Sequence, residues 1–578
     1  MTHRWVLRPM DRPEVAARLQ QELNNLPEAL ARALVLRGID TFDAARLFFR
    51  PSLDHLHDPF LMRDMDRAAD RLAEAIQRKE RVLVYGDYDV DGTTATALMT
   101  SFLRAHGVEA SYFIPNRFED GYGLGPTGID QAADVGASLI VALDCGITAV
   151  DEAAYARQKG LDLIICDHHK PADVLPNALA VLDPKRSDGT YPFDELSGCG
   201  IGFKLIQATL QRLGAPPEAA NAYLDLVAVS TASDIVPLYG ENRVLMAEGL
   251  KALRERPRVG LQKLAEIARV DLKDCTVNHI LFSLAPRINA AGRLGDAGRA
   301  VELLLTTDPA EASELANRLE AVNQERRTVD REMQTEAFRL AERQLTSRTR
   351  HAIVLHRPHW HLGVLGIVAS RVVERFYRPA IMLGTSGDEV KGSARSIGGI
   401  SVHHALQACS DLLVQFGGHD FAAGLTLREA DVPAFQERFD AAVGEQATPD
   451  VFHPTMDVDA HLDLSDLDER FWAVLKQFAP FGPENLAPTF QAEKLEVVGE
   501  PRTVGKEGSH LKFGVRSLEG GASRDVIAFR MGQHLPTVLD SQRHGRPLEL
   551  LFSVEENVWR GRTSLQLKAR DLRLSEGE

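Results

Sequence analysis

The sequence predicts an α/β fold: two α/β domains joined by one long helix, with a small β-barrel at the C-terminal end. Three observations predict it. Between residues 66 and 240, short, nearly continuous apolar runs alternate with helical patterns. From Pro309 to about Gln344 the chain is highly charged and free of internal Gly or Pro. After roughly residue 455 the texture changes to short strands. At 578 residues the chain is too long for one core, so several domains are expected.

Residues 1–65 read as short helices, such as PEVAARLQQEL and DAARLFF, and are expected to cap the next domain. In 66–240, the helix MDRAADRLAEAIQRK leads into the strand RVLVY. Later strands are SLIVAL (138–143), LDLIIC (161–166) and ALAVL (178–182). Such runs suit parallel strands covered on both faces, a doubly wound arrangement. Residues 241–348 form a helical connector, whose long Pro309–Gln344 stretch reads as a solvated helix bridging two domains. Residues 349–450 form the second α/β unit, with strands AIVLH and PAIML and the helix LGVLGIVASRVVERF. In 455–578, five short strands suggest a barrel of the OB type. Phe513, Phe529, Phe552 and Trp559 are its candidates for stacking on bases, although strand aromatics are more often core.

Composition narrows the classes. No run of eighteen apolar residues is present, and MTHRWVLRPM has no apolar signal core. The five cysteines form no CxxC pair and are odd in number. A zinc site and a disulfide framework are disfavoured, and a reducing cytoplasm is expected. The net charge of −16 argues against general nucleic-acid coating, but leaves room for a local basic channel.

The chemistry lies where the apolar runs end. GDYDVDG follows the first strand and brings Asp87, Asp89 and Asp91 together. Carboxylates this close repel one another unless a cation sits among them; the bland alternative is a solvated acidic turn. An EF-hand is disfavoured, because the twelfth position counted from Asp87 is Leu98. Asp144 follows SLIVAL, Asp167, His168 and His169 follow LDLIIC, and Asp183 follows ALAVL. Ligands bind at the carboxyl ends of strands in open α/β sheets, so several strands deliver carboxylates and imidazoles to one edge. Asp234 ends the helix NAYLDLVAVSTASD, where a carboxylate opposes the helix dipole unless a cation is near.

These residues carry a resemblance. DYDVDG, the Asp of ALDCGIT, DHHK and the Asp of STASDIVP resemble, in order, the four motifs of the DHH phosphoesterase superfamily. SGCGIGFK (197–204), RINAAGRL (287–294), KGSARS (391–396) and FGGHDFAAG (416–424) extend it, and the whole pattern resembles the bacterial RecJ exonucleases specific for single strands. The resemblance makes 66–240 a DHH domain and 349–450 a substrate-binding DHHA1 domain. It implies one ion held by Asp91, Asp144, His168 and Asp234, and another by Asp87, Asp89 and Asp144. A ligand set of Asp and His without Cys suits Mn²⁺ or Mg²⁺. Asp144, from a central strand, is the natural bridge. His169 points away from His168 in an extended segment, so it is expected to contact the scissile phosphate or assist proton transfer. Asp167 would orient an imidazole.

Arg117, in IPNRFEDGYG, suits bidentate phosphate recognition, or else an ion pair with Glu119 or Asp120. The resemblance puts it with Ser393 and Arg395 in a pocket for a 5′-terminal phosphate. It also implies that Arg287 and Asn289 contact the strand backbone, and that His419 contacts substrate. The implied function is a 5′-to-3′ exonuclease of single-stranded DNA, acting in recombination and repair. Such an enzyme would be monomeric, with a single-strand-binding protein and a helicase as partners. Two readings compete: a small-substrate phosphodiesterase of the same superfamily, and a catalytically dead replication scaffold.

Overall fold

The computed structural model describes residues 3–575 except 118, 122, 348–349 and 560–561, without the side chains of 347, 558–559 and 562–563. It divides into two units. The larger comprises His57–Val236 and Glu248–Pro454; the smaller comprises Met1–Leu56, Pro237–Ala247 and Thr455–Glu578.

The larger unit begins with a five-stranded parallel sheet. Its order is Ala110–Phe113, Val82–Tyr85, Leu139–Leu143, Asp162–Cys166, Ala180–Leu182. All four residues of Val82–Tyr85 and all five of Leu139–Leu143 are buried, as near-continuous apolar runs require. Leu83, Tyr85, Ile140, Ala142 and Ile165 pack under helices Pro126–Asp134 and Val150–Gln158. The opposite face meets helices Val90–Ala105 and Gly198–Arg212. Each buried Val, Leu or Ile contributes about 1.5–3 kcal/mol, so both faces stabilise the sheet.

A helix of 39 residues, Pro309–Ser347, runs through the larger unit. Its N-terminal part packs against helices Val259–Ala268 and Ala285–Leu294. Its C-terminal part places Met333, Ala337 and Ala341 in a core with helix Leu365–Phe376. The second sheet has the order Leu413–Gly418, Ala422–Arg428, Glu389–Arg395, Ala380–Ser386, Ile353–His356, and its last pair alone is parallel. KGSAR and the FGG and AAG segments therefore lie in strands, with His419 in the connecting hairpin.

In the smaller unit, strands Phe490–Val504, His510–Ser517, Arg524–Ala528, Arg562–Leu574 and Leu548–Trp559 pair in that order, and the last returns to the first. This closed five-stranded barrel fits the OB fold. Phe513 and Phe552 are in its core. Leu30, Leu34, Ala45 and Phe48 share that core, and Arg4–Leu7 pairs in parallel with Thr455–Val458. The N-terminal segment thus packs with the barrel, whereas its sequence suggested a cap on the domain that follows it. An amphipathic helix reveals that it has a buried face, but not what covers that face.

Candidate metal centre

From Val82–Tyr85 the sheet is extended to one side by Ala110–Phe113 and to the other by Leu139–Leu143. A cleft opens at the carboxyl ends of strands at such a switch point. Asp87, Asp89 and Asp91 follow the first of these strands, Asp144 follows Leu143, and Asp167, His168 and His169 follow Cys166. Asp234 arrives as the residue capping the C-terminus of helix Leu224–Ser233.

His168 Nε2 stands 3.2 Å from Asp144 Oδ1, 3.4 Å from Asp234 Oδ2 and 3.9 Å from Asp91 Oδ2. Asp87, Asp89 and Asp144 each offer an oxygen within 4.8 Å of the others, and the same holds for the ligand atoms of Asp91, His168 and Asp234. The two groups meet at Asp144, through its contact with His168. Asp87 Oδ1, Asp144 Oδ1, Asp234 Oδ2 and both His168 nitrogens are buried without hydrogen-bond partners. Each such atom costs about 1–3 kcal/mol. Burial first, then mutual repulsion, pushes Asp87, Asp89, Asp144 and Asp234 above the ordinary carboxylate range. Burial pushes His168 down to about 4, so its imidazole is neutral at pH 7 and free to ligate. Divalent cations would offset the repulsion and satisfy the carboxylate oxygens and one imidazole nitrogen, and the donor set of carboxylate oxygens and imidazole fits Mn²⁺ or Mg²⁺.

The centre is supported from behind. Both Asp91 oxygens are engaged: Gly198 N donates to Oδ2 at 2.6 Å, while Cys199 N (2.9 Å) and Ser230 Oγ (2.6 Å) donate to Oδ1. The N-terminus of helix Gly198–Arg212 thus fixes Asp91, which accounts for SGCGIGFK. Gly198 is required sterically, because a Cβ there would stand 2.7 Å from Asp144 Cβ. Asp144 itself is left-handed, at φ 62°. A strained aspartate at this point is consistent with a fixed ligand direction.

Asp167 accepts from the amides of Ile147 (2.8 Å), His168 (2.8 Å) and His169 (3.1 Å), and pairs with His169 Nδ1 at 2.7 Å. Burial would raise its pKa, but the hydrogen bond and charge of His169, with the amides, hold it below the usual range. Burial lowers the pKa of His169, and the Asp167 hydrogen bond and charge more than reverse this. Asp167 therefore orients the exposed imidazole. Asp183 is buried outside the ligand groups. It accepts from Lys185 N at 2.7 Å, and burial raises its pKa to about 7.

A cavity of about 160 Å³ adjoins the cluster, lined by Asp87, Tyr88, Asp89, Arg117, Asn289 and Arg293 among others. The Arg117 guanidinium lies over the Tyr88 ring, 4.6 Å from its centroid. Arg395 Nη1 donates to Ser393 Oγ at 2.9 Å. Gly366, in the first turn of helix Leu365–Phe376, lies so close that a Cβ would be 2.7 Å from Arg395 Nη2. A helix N-terminus beside an arginine and a serine is suited to a phosphate.

Sequence reasoning missed Arg293. Burial first, then the charges of Arg117, Arg326 and Arg395, lower its pKa to about 10, so a cationic cluster surrounds it. The apolar spacing of helix Ala285–Leu294 could have revealed this face. Arg287, expected to touch the strand, is instead buried in a 2.7 Å ion pair with Glu320 and bonds Ser283 O at 2.5 Å. The reason is helical geometry: residues two apart point to different sides, and Asn289 holds the cleft side. His419 is exposed in its hairpin, with its amide bonded to Ala422 O at 2.8 Å. Of the barrel aromatics, Phe513 and Phe552 are buried and Phe529 is 47% exposed; the Trp559 side chain lies outside the described residues.

Fold and cluster together define a phosphoesterase of the DHH class. The family described as DHH family, N-terminal domain, matches residues 81–231, the DHHA1 domain matches 350–445, and the RecJ OB domain matches 458–571. The chain is 38% identical over 575 residues to the single-stranded-DNA-specific exonuclease RecJ of Bacillus subtilis, covering 99% of this chain and 71% of that protein. It is 37% identical to the protein of that name from Dickeya dadantii, covering 94% of this chain and 96% of the relative. The chain belongs to the RecJ family of single-stranded-DNA-specific exonucleases. The structure of RecJ from Thermus thermophilus in complex with Mn²⁺ is similar throughout, with TM-score 0.81, 32% identity, and coverage of 99% of this chain and 80% of that one. A structure of the same protein is a complex with Mg²⁺, at TM-score 0.75 and 29% identity.

Proposed function

We propose that this chain hydrolyses single-stranded DNA from its 5′ end, releasing 5′-mononucleotides, with two divalent cations, Mn²⁺ or Mg²⁺. One observation carries the reading: ligand atoms of Asp87, Asp144, His168 and Asp234, buried without hydrogen-bond partners, fall in two groups that come together where Asp144 stands 3.2 Å from His168. Asp91, Asp144, His168 and Asp234 would hold one ion; Asp87, Asp89 and Asp144 would hold the other. When bound, two such ions supply positive charge to the phosphate oxygens and acidity to the attacking water. Asp91 keeps its direction through Gly198, Cys199 and Ser230. His169, fixed by Asp167 at the rim of the centre, donates to a phosphate oxygen or passes a proton. Arg117, Ser393 and Arg395 hold the terminal 5′-phosphate, and Asn289 and Arg293 contact the backbone beside it.

The small-substrate alternative leaves the OB barrel without a role, and the scaffold alternative leaves an intact ligand set without one. No helix among the described residues is long and apolar enough to cross a membrane. All five cysteines are free and buried, which fits a reducing cytoplasm. There the chain acts as a monomer fed by a helicase and a single-strand-binding protein, in recombination and repair. The test uses strands labelled separately at each end. With Mn²⁺ present, the 5′ label should leave first, as a mononucleotide. Early release of the 3′ label would reverse the polarity, and an undegraded strand would overturn the nuclease reading.

A further inference from the structure

An ionised carboxylate accepts about four hydrogen bonds, two at each oxygen. In the buried Asp91, Cys199 N and Ser230 Oγ take both places on Oδ1, and Gly198 N takes one on Oδ2. The place that remains is on Oδ2, the oxygen that stands 3.9 Å from His168 Nε2. Asp91 can therefore offer a cation one oxygen and not the other. The two amides belong to the first turn of helix Gly198–Arg212 and are part of the backbone. The remaining donor, Ser230, is a side chain.

Ser230 is itself the end of a chain of donors. Gly200 N donates to Ser197 Oγ at 3.1 Å, and the hydroxyls of Ser197 and Ser230 stand 2.7 Å apart. A hydroxyl has a single hydrogen to give. Ser230 gives its own to Asp91, so Ser197 must give its own to Ser230. Donation thus runs from the Gly200 amide through Ser197 and Ser230 to Asp91, and each bond of such a chain polarises the next. Both serines are fully buried, so water does not compete for these bonds. Ser197 caps helix Gly198–Arg212. Ser230 lies in helix Leu224–Ser233, and its carbonyl accepts from the Asp234 amide at 2.9 Å. One pair of hydroxyls therefore joins the supports of Asp91 and Asp234.

We propose that the Ser197–Ser230 hydroxyl pair sets the cation selectivity of the centre: by occupying Asp91 Oδ1 it limits Asp91 to one metal bond and so disfavours Ca²⁺. The proposal rests on the two-cation reading, and names the divalent ion that the centre discriminates against. Ca²⁺ takes about six to eight oxygens and often draws both from one carboxylate, whereas Mg²⁺ keeps a near-octahedral set. Mn²⁺ shares the octahedral preference. Without the Ser230 hydroxyl, Oδ1 would have an unsatisfied lone pair in a buried site, and the carboxylate could turn both oxygens to a larger ion. Ser197 and Ser230 touch neither substrate nor cation in this account; they are positioning residues acting through Asp91.

The test loads the full chain with Mn²⁺, adds Ca²⁺, and reads released Mn²⁺ by its paramagnetic resonance signal. Ser230→Ala should release half its Mn²⁺ at about tenfold less Ca²⁺ than wild type, the lower end of what losing a partner of a metal ligand costs. Ser197→Ala should shift the release in the same direction by a smaller factor. Combined with Ser230→Ala it should add nothing to the release, because its effect passes through Ser230. Thermal melts separate this from packing: Ser197→Ala also removes a helix cap, so its Tm should fall in both backgrounds. A lowered Tm with Ca²⁺ displacement unchanged from wild type would make the pair merely structural and overturn the proposal. Additive shifts in the double variant would overturn the relay from Ser197. Wild-type loading is read in the same series. If the wild type holds no Mn²⁺, the two-cation reading falls and this proposal with it; if it holds Mn²⁺ and Ser230→Ala behaves identically, this proposal alone falls.

Discussion

Arg293 donates from Nη1 to the carbonyl of Gly363 at 3.0 Å. The side chain that lines the cavity beside the metal ligands thereby also grips the segment leading into helix Leu365–Phe376. It ties the first α/β domain to the segment beside Ser393 and Arg395 in the second. Losing one charged hydrogen-bonding partner costs about 1.5–3 kcal/mol, or roughly ten- to a hundredfold. Arg293→Ala should lower kcat/KM on single strands by that factor. Arg293→Lys should not rescue it, because a single ammonium lacks the forked donors that serve the carbonyl and a phosphate together. Wild-type rates in the lysine variant would reduce Arg293 to a point charge.

Asp144 belongs to the group with Asp87 and Asp89 and stands 3.2 Å from His168 of the other. Asp144→Ala should abolish turnover while leaving binding of the single strand largely intact. Calorimetric titration with Mn²⁺ should show the tight two-ion stoichiometry lost. A rate within a few fold of wild type, or unchanged stoichiometry, would remove Asp144 from the bridging position.

Asp183 gives a pH signature separate from the ligands. Its pKa of about 7 in the folded protein exceeds the ordinary carboxylate value because of burial. The folded state therefore holds this proton more tightly than the unfolded state does. The associated stability is fully present at acid pH and is lost as pH rises through about 7. Asp183→Asn removes the titration while keeping an acceptor for Lys185 N. Thermal melts of the two proteins should diverge with rising pH, the variant becoming more stable by up to about 4 kcal/mol at pH 8. Parallel Tm curves from pH 5 to 8 would show that Asp183 does not titrate in this range.

The barrel is better probed by a point change than by truncation. Deleting residues from 455 onward would strip Leu30, Leu34 and Phe48 of their shared core, so lost binding would report unfolding. Phe529 lies on the surface, with the His510 ring 5.2 Å away and Lys568 Nζ 5.3 Å from its centroid. An open ring flanked by an imidazole and an ammonium suits a stacked base. Phe529→Ala should weaken binding of long single strands by roughly ten- to a hundredfold while sparing the first cut of very short ones. Unchanged affinity for long strands would remove Phe529 from the binding path.

How much of this was legible in the sequence depends on how local each signal is. Apolar runs ending in Asp or His announce both a strand and its functional end, so Asp87, Asp144 and His168 could be placed without coordinates. The partner of the first 56 residues could not. The indole of Trp5 donates to Asp571 at 2.9 Å, across nearly the whole length of the chain. Arg326 lies in a stretch read as a solvated helix, yet burial and its arginine neighbours lower its pKa. Charge content alone does not reveal which turn of a long helix faces a cleft. The burial of Arg287 against Glu320 was hidden for a related reason: a motif gives the residues of a helix, whereas packing decides which of them are covered.

Polarity is set by where the terminal phosphate is held. Arg117 comes from the loop after Ala110–Phe113, its guanidinium kept over Tyr88, which lies between Asp87 and Asp89 of the acidic cluster. Ser393 and Arg395 come from the strand Glu389–Arg395 of the second sheet, beside a helix N-terminus. If these groups clamp a 5′-phosphate next to the metal centre, each cut releases one 5′-mononucleotide and the enzyme proceeds 5′ to 3′. Arg117→Ala and Arg395→Ala should then slow cutting of 5′-phosphorylated strands by roughly ten- to a hundredfold, the effect of one lost charged hydrogen bond. Strands ending in a 5′-hydroxyl should lose much less, so the advantage of a phosphate end should shrink in both variants. Metal content should remain that of wild type, because neither arginine belongs to a ligand group. The comparison uses wild type and each variant on both kinds of 5′ end. Equal losses on phosphate and hydroxyl ends would show that these arginines hold the strand without reading its terminus, and the origin of polarity would have to be sought elsewhere in the cleft.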